Sequence, residues 1–236
     1  MILKIDFFVK RYKRIAAIFI INSFIPFLFS QVHVRIEADF SLKESFIDST
    51  QKLTIGKVYY DKSYKQIVYN ISFPEKKVIV ITDSLIYRIK KNKNVSISKS
   101  NSILQMSIFN LALNGDLPYY GLKNTPYIIA DIENNDNQVI TTWKLPEAYK
   151  QNTGKMALMQ VDKKLTGLIT FNAEDEIVSK QFFEEYINVS GVDFPSKIVQ
   201  FMYVGNKKET KLTTYNNIII NNLKSEDFYN YSIPVY

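Results

Sequence analysis

Beyond residue 33, apolar and polar residues alternate along the chain. Val34, Ile36, Ala38, Phe40 and Leu42 fall on one side of an extended segment, and Arg35, Glu37, Asp39, Ser41 and Lys43 on the other. That period of two predicts a long half-buried strand. Gly56 to Asp61 predicts a second strand, and Ile67, Tyr69, Ile71 and Phe73, with Gln66, Asn70 and Ser72 between them, predict a third that ends at Pro74. Lys76 and Lys77 lead into the run Val78 to Ile81, and Thr82, Asp83 and Ser84 make a tight connection to Leu85, Tyr87 and Ile89. Short links between strands predict an antiparallel meander.

The period changes once. Ser102, with Gln105 three positions on, can form a capping box; the apolar run Ile103 to Leu113 follows, and Asn114-Gly115 suits a helix C-terminus. A helix of about three turns is predicted there. Ser107, Asn110 and Asn114 collect in one polar stripe, whereas Ile103, Leu104, Met106, Ile108, Phe109, Leu111 and Leu113 spread over most of the circumference. Such a helix needs cover on more than one side. It can be a core helix plugging the open end of a sheet, or a lid over an apolar cavity. Leu117 to Thr125 reads as a turn-rich loop with room for a short helical turn.

Strands then resume at Tyr127 to Ile132, Val139 to Leu145, Met156 to Val161, Leu165 to Phe171, Ile177 to Val189, Ser196 to Val204 and Thr210 to Asn221. Turn chemistry separates them: Asn134 to Asn137, Asn152-Thr153-Gly154, Asp162-Lys163, Asn172 to Asp175, Gly191-Val192-Asp193 and Gly205-Asn206. No linker, low-complexity block or exact repeat divides the segment, so residues 31–236 read as one domain. A sheet of about a dozen strands must curl or close on itself.

The first thirty residues read differently. Lys4, Lys10, Arg11, Lys13 and Arg14 form a basic region ahead of an apolar stretch from Ile15 to Phe29, interrupted mainly by Asn22, Ser23 and Pro26. This is the form of a secretory signal peptide over residues 1–30, cut between Ser30 and Gln31 with Leu28 at the −3 position. The alternative is an uncleaved anchor, for which the stretch is short. The whole chain carries a net charge of +7; removing five basic residues and Asp6 leaves +7 − 4 = +3. Most of the basicity thus belongs to the leader, and no nucleic-acid partner is expected. The run Arg88 to Lys93 reads as a solvated turn, with a phosphate or lipid headgroup as the sharper alternative.

Composition narrows the chemistry further. The chain has no Cys, which excludes disulfides, zinc-thiolate clusters and a thiol nucleophile. The single His33 excludes a multi-histidine metal site, and its place at the start of the first strand suits an exposed edge residue better than a catalytic base. No nucleophile elbow, Walker loop or dinucleotide fingerprint is present. Asp131 with Glu133 sits at a strand end, and Glu184 with Glu185 should point to opposite faces of one strand; both pairs read as solvated charge. No catalytic residue, metal or cofactor is expected. With Phe 16 and Tyr 16 against Gly 7, what remains is apolar surface, to which Met156, Leu158 and Met159 add adaptable contacts.

The order of these features resembles the outer-membrane lipoprotein carriers, the LolA-like proteins of the Gram-negative periplasm. Ala38-Asp39-Phe40-Ser41-Leu42-Lys43 resembles that family's first strand, and Gly56-Lys57-Val58-Tyr59-Tyr60 its second. Ile67 to Pro74 resembles its aromatic strand ending in Pro, and Val80 to Tyr87 its following hairpin, with Ser84 where Gly is usual. The helix at Ile103 to Leu113 falls where the family places one inside the barrel mouth. Two departures are visible: no helix precedes the first strand, and Lys62-Ser63-Tyr64 lacks the family's basic-residue-Pro step.

The resemblance implies a mainly β fold, a single curved antiparallel sheet forming an incomplete, half-open β-barrel with one or two short helices covering the open side. It implies an exported, periplasmic, non-catalytic binder or carrier of apolar ligands, whose partner is a lipoprotein acyl chain, a lipid or an apolar peptide. If the face carrying Phe40 points inward, the cavity should be lined by Phe40, Tyr69, Ile71, Phe73 and Tyr87 from strands and by Met106, Phe109 and Leu111 from the helix. Two other classes stay open. One is a cell-envelope structural or protein-interaction module with a filled interior and an apolar patch outside. The other is a hydrolase with carboxylates converging in a pocket.

Overall fold

The computed structural model describes residues 32–90, 94–100, 104–149, 154–205 and 207–234. The leader, the cap at Ser102, and Lys91 to Lys93 of the basic run lie outside the described residues. Six strands come before the helical segment: β1 (Arg35–Ser45), β2 (Gln51–Asp61), β3 (Gln66–Phe73), β4 (Lys77–Ile81), β5 (Leu85–Lys90) and β6 (Asn94–Lys99). Seven follow it: β7 (Ile128–Asn135), β8 (Gln138–Lys144), β9 (Met156–Val161), β10 (Lys164–Phe171), β11 (Ile177–Val189), β12 (Val192–Val204) and β13 (Lys207–Ile220).

All thirteen strands join one sheet in the order β6-β5-β4-β3-β2-β1-β13-β12-β11-β10-β9-β8-β7. Each half is a meander, as the short turns predict. The halves are stitched where β1 pairs antiparallel with β13, with Phe40 opposite Tyr215 and Leu42 opposite Thr213. β6 and β7 remain as edges, so the sheet is not closed. It is nevertheless curled: five strand steps separate β3 from β11, about 24 Å along a flat sheet, yet Tyr69 of β3 and Phe183 of β11 line the same cavity.

The segment between β6 and β7 lies in the trough. A 3₁₀ turn, Leu104–Met106, leads into α1 (Ile108–Asn114), and two more 3₁₀ turns, Leu117–Tyr119 and Leu122–Asn124, continue to β7. The predicted three-turn helix is therefore broken. Ser107 adopts an extended backbone and its hydroxyl accepts from the Asn110 N–H, so the α-helical cap falls at Ser107. The C-terminus is as expected: Gly115 takes φ 71°, its N–H donates to the Ala112 carbonyl, and the Asp116 N–H donates to that of Leu111. These are the paired bonds of a Schellman motif, for which glycine at the left-handed position is suited.

Two apolar clusters flank α1. One gathers Ile36, Ala38, Phe40, Val58 and Tyr60 of the first half with Phe194, Tyr215 and Phe109. The other gathers Leu111, Leu117 and Leu122 with Trp143, Leu158, Leu168 and Phe183 of the second half. A third lies on the outer face, where Tyr59, Val68, Val80 and Ile89 meet α2 (Glu226–Tyr229) and the chain after it.

Candidate functional site

α1 is fixed from both sides but does not fill the trough. The Phe109 ring packs 6.2 Å from Tyr60, 6.0 Å from Phe194 and 5.6 Å from Tyr215, and is 2% exposed. The polar stripe predicted for the helix ties it to β2 and its following turn: the Tyr60 hydroxyl donates to Asn110 Oδ1 at 2.8 Å, and Lys62 Nζ to Asn114 Oδ1 at 2.9 Å. Between the start of this segment and the sheet a cavity of ≈ 440 Å³ remains, within the range of small-molecule sites. Tyr69, Met106, Ile108, Phe183 and Ile198 supply much of its apolar lining, and Ser107, Gln181, Gln200 and Thr213 add polar atoms.

A second space of ≈ 420 Å³ adjoins it toward the β1–β2 hairpin and shares Tyr69, Ile81 and Thr213 with the first. Phe40, Leu42, Ile71 and Ile79 line its apolar part, and Glu44, Lys52, Lys77 and Arg88 its polar part. The Phe40 and Tyr69 rings meet edge to face at 5.2 Å. Burial pushes the Tyr69 phenol up to about 12, and Tyr215 and Tyr120 rise for the same reason. These three phenols are therefore neutral at ordinary pH.

The expected lining residues separate into groups. Phe40, Tyr69, Ile71, Met106 and Phe109 border the two spaces. Leu111 is buried with Trp143 and Leu158, packing the helix onto the second half of the sheet, and lines neither space. Phe73 and Tyr87 stand on the other face, a correction to the expected lining. In β3 the partner register jumps, with Gly56 opposite Ile71 but Ile55 opposite Phe73, so a bulge at Ser72 turns Phe73 outward, where it is 48% exposed. A Cβ on Gly56 would come 2.3 Å from the Asn70 carbonyl oxygen, so glycine permits the close approach beside this bulge. In β5, Tyr87 pairs with Val80 and joins the outer cluster, while Ile86 and Arg88 face the trough.

Gln181, Phe183, Ile198, Gln200 and Thr213 were not expected. Their strands carry little signal for them: in β12, outward Val199 and Phe201 flank inward Gln200, so hydrophobic alternation marks the wrong face. Among the described residues no group of His, Cys, Asp or Glu could hold a metal ion. His33 Nε2 lies 2.8 Å from the Ser190 carbonyl oxygen. Asp131 and Glu133 stand on the fully exposed β7. Glu184 and Glu185 do not diverge as expected; both reach Lys197 Nζ, at 2.9 and 3.2 Å, because Glu185 takes φ 54° and interrupts the pairing with β12. All three side chains are at the surface, so the charges are solvated as read.

No helix among the described residues is long and apolar enough to cross a membrane. No family model and no curated protein matches the sequence. Solved structures do match. The LolA superfamily protein of Nitrosomonas europaea is 12% identical over 83% of this chain and 90% of its own, with a TM-score of 0.55. A DUF1329 family protein from Desulfovibrio piger is 10% identical over 85% and 91%, with a TM-score of 0.59. A domain from Vibrio parahaemolyticus, described as an outer membrane lipoprotein-sorting protein domain, is 7% identical over 83% and 89%, with a TM-score of 0.56. With its single curled antiparallel sheet and the short helical segment in its trough, the chain has the fold of the LolA superfamily protein and the lipoprotein-sorting domain.

Proposed function

We propose that the protein is an exported, non-catalytic carrier that holds the acyl chain of a lipid or lipoprotein in the periplasm of a Gram-negative bacterium. The observation that carries this reading is the ≈ 440 Å³ space between α1 and the sheet, lined by Tyr69, Met106, Ile108, Phe183 and Ile198. An apolar chain entering it gains about 0.8 kcal/mol per buried CH₂. The few polar side chains there, among them Ser107, Gln181, Gln200 and Thr213, suit an ester or amide more than a reaction, since among the described residues no carboxylate or imidazole reaches that lining. The basic region and apolar stretch of residues 1–30 support export, read as a signal peptide, with residues 31–236 as the carrier domain.

The test is native mass spectrometry of residues 31–236 from a periplasmic fraction, with titration of hexadecyl-chain probes. The wild type is expected to carry or take up one chain, and Met106→Trp, which fills the space, to lose at least tenfold in affinity while remaining folded. A wild-type protein that ignores every acyl probe overturns the carrier. A second reading, a protein-docking module, draws on the half-exposed Phe182 and Phe201, whose rings meet at 6.1 Å on the outer face. It gains if acyl probes fail and a Phe201→Ser variant loses an envelope partner.

A further inference from the structure

The space nearer the β1–β2 hairpin differs from the inner one in charge. Its lining holds three cations, Lys52, Lys77 and Arg88, and one carboxylate, Glu44. Strand register puts them together. Glu44 stands opposite Lys52 across β1–β2 and opposite Lys211 across β1–β13, and its carboxylate meets both ammonium groups, at 3.2 and 3.6 Å. Lys77 stands opposite Ile71, and Arg88 opposite Ile79, so both project on the trough face of β4 and β5 beside the apolar lining.

Neutralisation is incomplete. Glu44 is occupied by the two lysines, and Glu209, two residues from Lys211 on the same face of β13, offsets one further charge. The nearby Glu75 pairs with Lys90 at 2.6 Å. Among the described residues Arg88 donates to a neutral group, the Ser98 hydroxyl at 2.8 Å, and to no carboxylate. An apolar groove thus ends at a mouth whose lining has an excess of two positive charges. A purely apolar guest would leave these cations without use; a guest with a negative end matches both parts at once.

We propose that the occupant is an amphiphile with an anionic head, its acyl chain lying between α1 and the sheet and its carboxylate or phosphate held at the mouth by Lys77 and Arg88. The proposal rests on the acyl-chain reading above and names the class of lipid. Lys77 and Arg88 are binding residues in it, and Lys52 is left to Glu44. Because the mouth is half-exposed, screening limits the gain to about tenfold in affinity over a neutral head.

The experiment compares hexadecanoate, hexadecyl phosphate and hexadecanol, each below its micelle concentration, on the wild type and on Lys77→Glu/Arg88→Glu, with Lys77→Gln/Arg88→Gln as the milder pair. The wild type is expected to bind the anionic probes about tenfold tighter than hexadecanol at low salt, and to lose that margin as salt rises. In both double variants the ratio of anionic to neutral affinity should fall to about one, and its dependence on salt should disappear. A higher affinity for the phosphate assigns a phospholipid-type head, and for the carboxylate a free fatty acid; either supports the proposal. Equal affinity for charged and neutral probes in the wild type, or a margin untouched by both double variants, overturns it and leaves the carrier standing. Failure of hexadecanol and both anions together overturns the carrier itself.

Discussion

The outer face of β1 to β5 and the outer face of β10 to β13 begin from the same alternating strands and are finished by different means. Over the first, the chain after β13 folds back as a third layer. Tyr229 is fully buried, Phe228 stacks on Tyr59 at 4.7 Å, and Tyr229 meets Tyr59 edge to face at 5.7 Å. Polar contacts locate the layer: Arg35 Nε lies 2.8 Å from Asp61, Arg35 donates to Glu226 at 2.7 Å, and the Tyr229 hydroxyl donates to Glu37 at 3.0 Å. Gln66 donates to the Tyr229 carbonyl at 3.0 Å. Over the second half, Phe182 and Phe201 stay half-buried, and lysines lie over the aromatics, Lys208 at 4.9 Å from Phe201 and Lys180 at 5.8 Å from Tyr203.

The difference follows from what each strand presents outward. Val68, Val80 and Ile89 form a continuous aliphatic surface that only another apolar layer can remove from water. In β12 and β13, outward apolar residues share the face with Thr210 and Lys208, whose stems supply partial cover without a further layer.

Substitutions sharpen this contrast. Tyr229→Ala should cost about 3–5 kcal/mol, as truncation of a buried aromatic does, measured by denaturant unfolding, and should leave acyl binding intact because the cavity is on the opposite face. A loss below about 1 kcal/mol would mean that the arm rests on the sheet without being a structural layer. Phe201→Ala should cost only about 1 kcal/mol, the scale of an aromatic pair; a loss equal to that of Tyr229→Ala would erase the distinction.

The smallest effect concerns the latch. The Tyr64 hydroxyl, then the Arg35 guanidinium, hold the Glu226 carboxyl below its ordinary range. A carboxyl lowered by folding stabilises the native state above its unfolded pKa, and that stabilisation is lost as pH falls through the folded value. Tm should therefore decline below about pH 4, and slightly less steeply in Glu226→Gln. Superimposable pH profiles would remove Glu226 from the latch.

How far the sequence reached varies with the residue. Ile36, Ala38 and Phe40 face the core as their alternation predicts, because their outward neighbours are charged. Gly115 terminates α1 as expected, since a left-handed residue is a local requirement. Phe73 and Tyr87 were misplaced for two reasons. A bulge shifts phase by one residue, and in β5 the apolar face of Leu85, Tyr87 and Ile89 turns to the outer cluster while Ile86 shares the trough face with Arg88, so hydrophobic alternation marks the wrong face.

The amino-acid sequence by itself determined the described strands other than β6, whose largely polar residues Asn94–Lys99 carry only a weak apolar pattern, together with the helical interruption and the absence of cysteine or clustered-histidine chemistry, all of which depend on local pattern or on composition. Only the tertiary structure decided which face of each doubly apolar strand turns inward, that residues 222–234 cover the outer cluster, and that Gln181, Gln200 and Thr213 share a cavity with Tyr69. It also brought Lys77 and Arg88 to the mouth beside Glu44. These outcomes depend on register, bulges and the closure of β1 onto β13, contacts between residues more than 150 positions apart, and no local period encodes them.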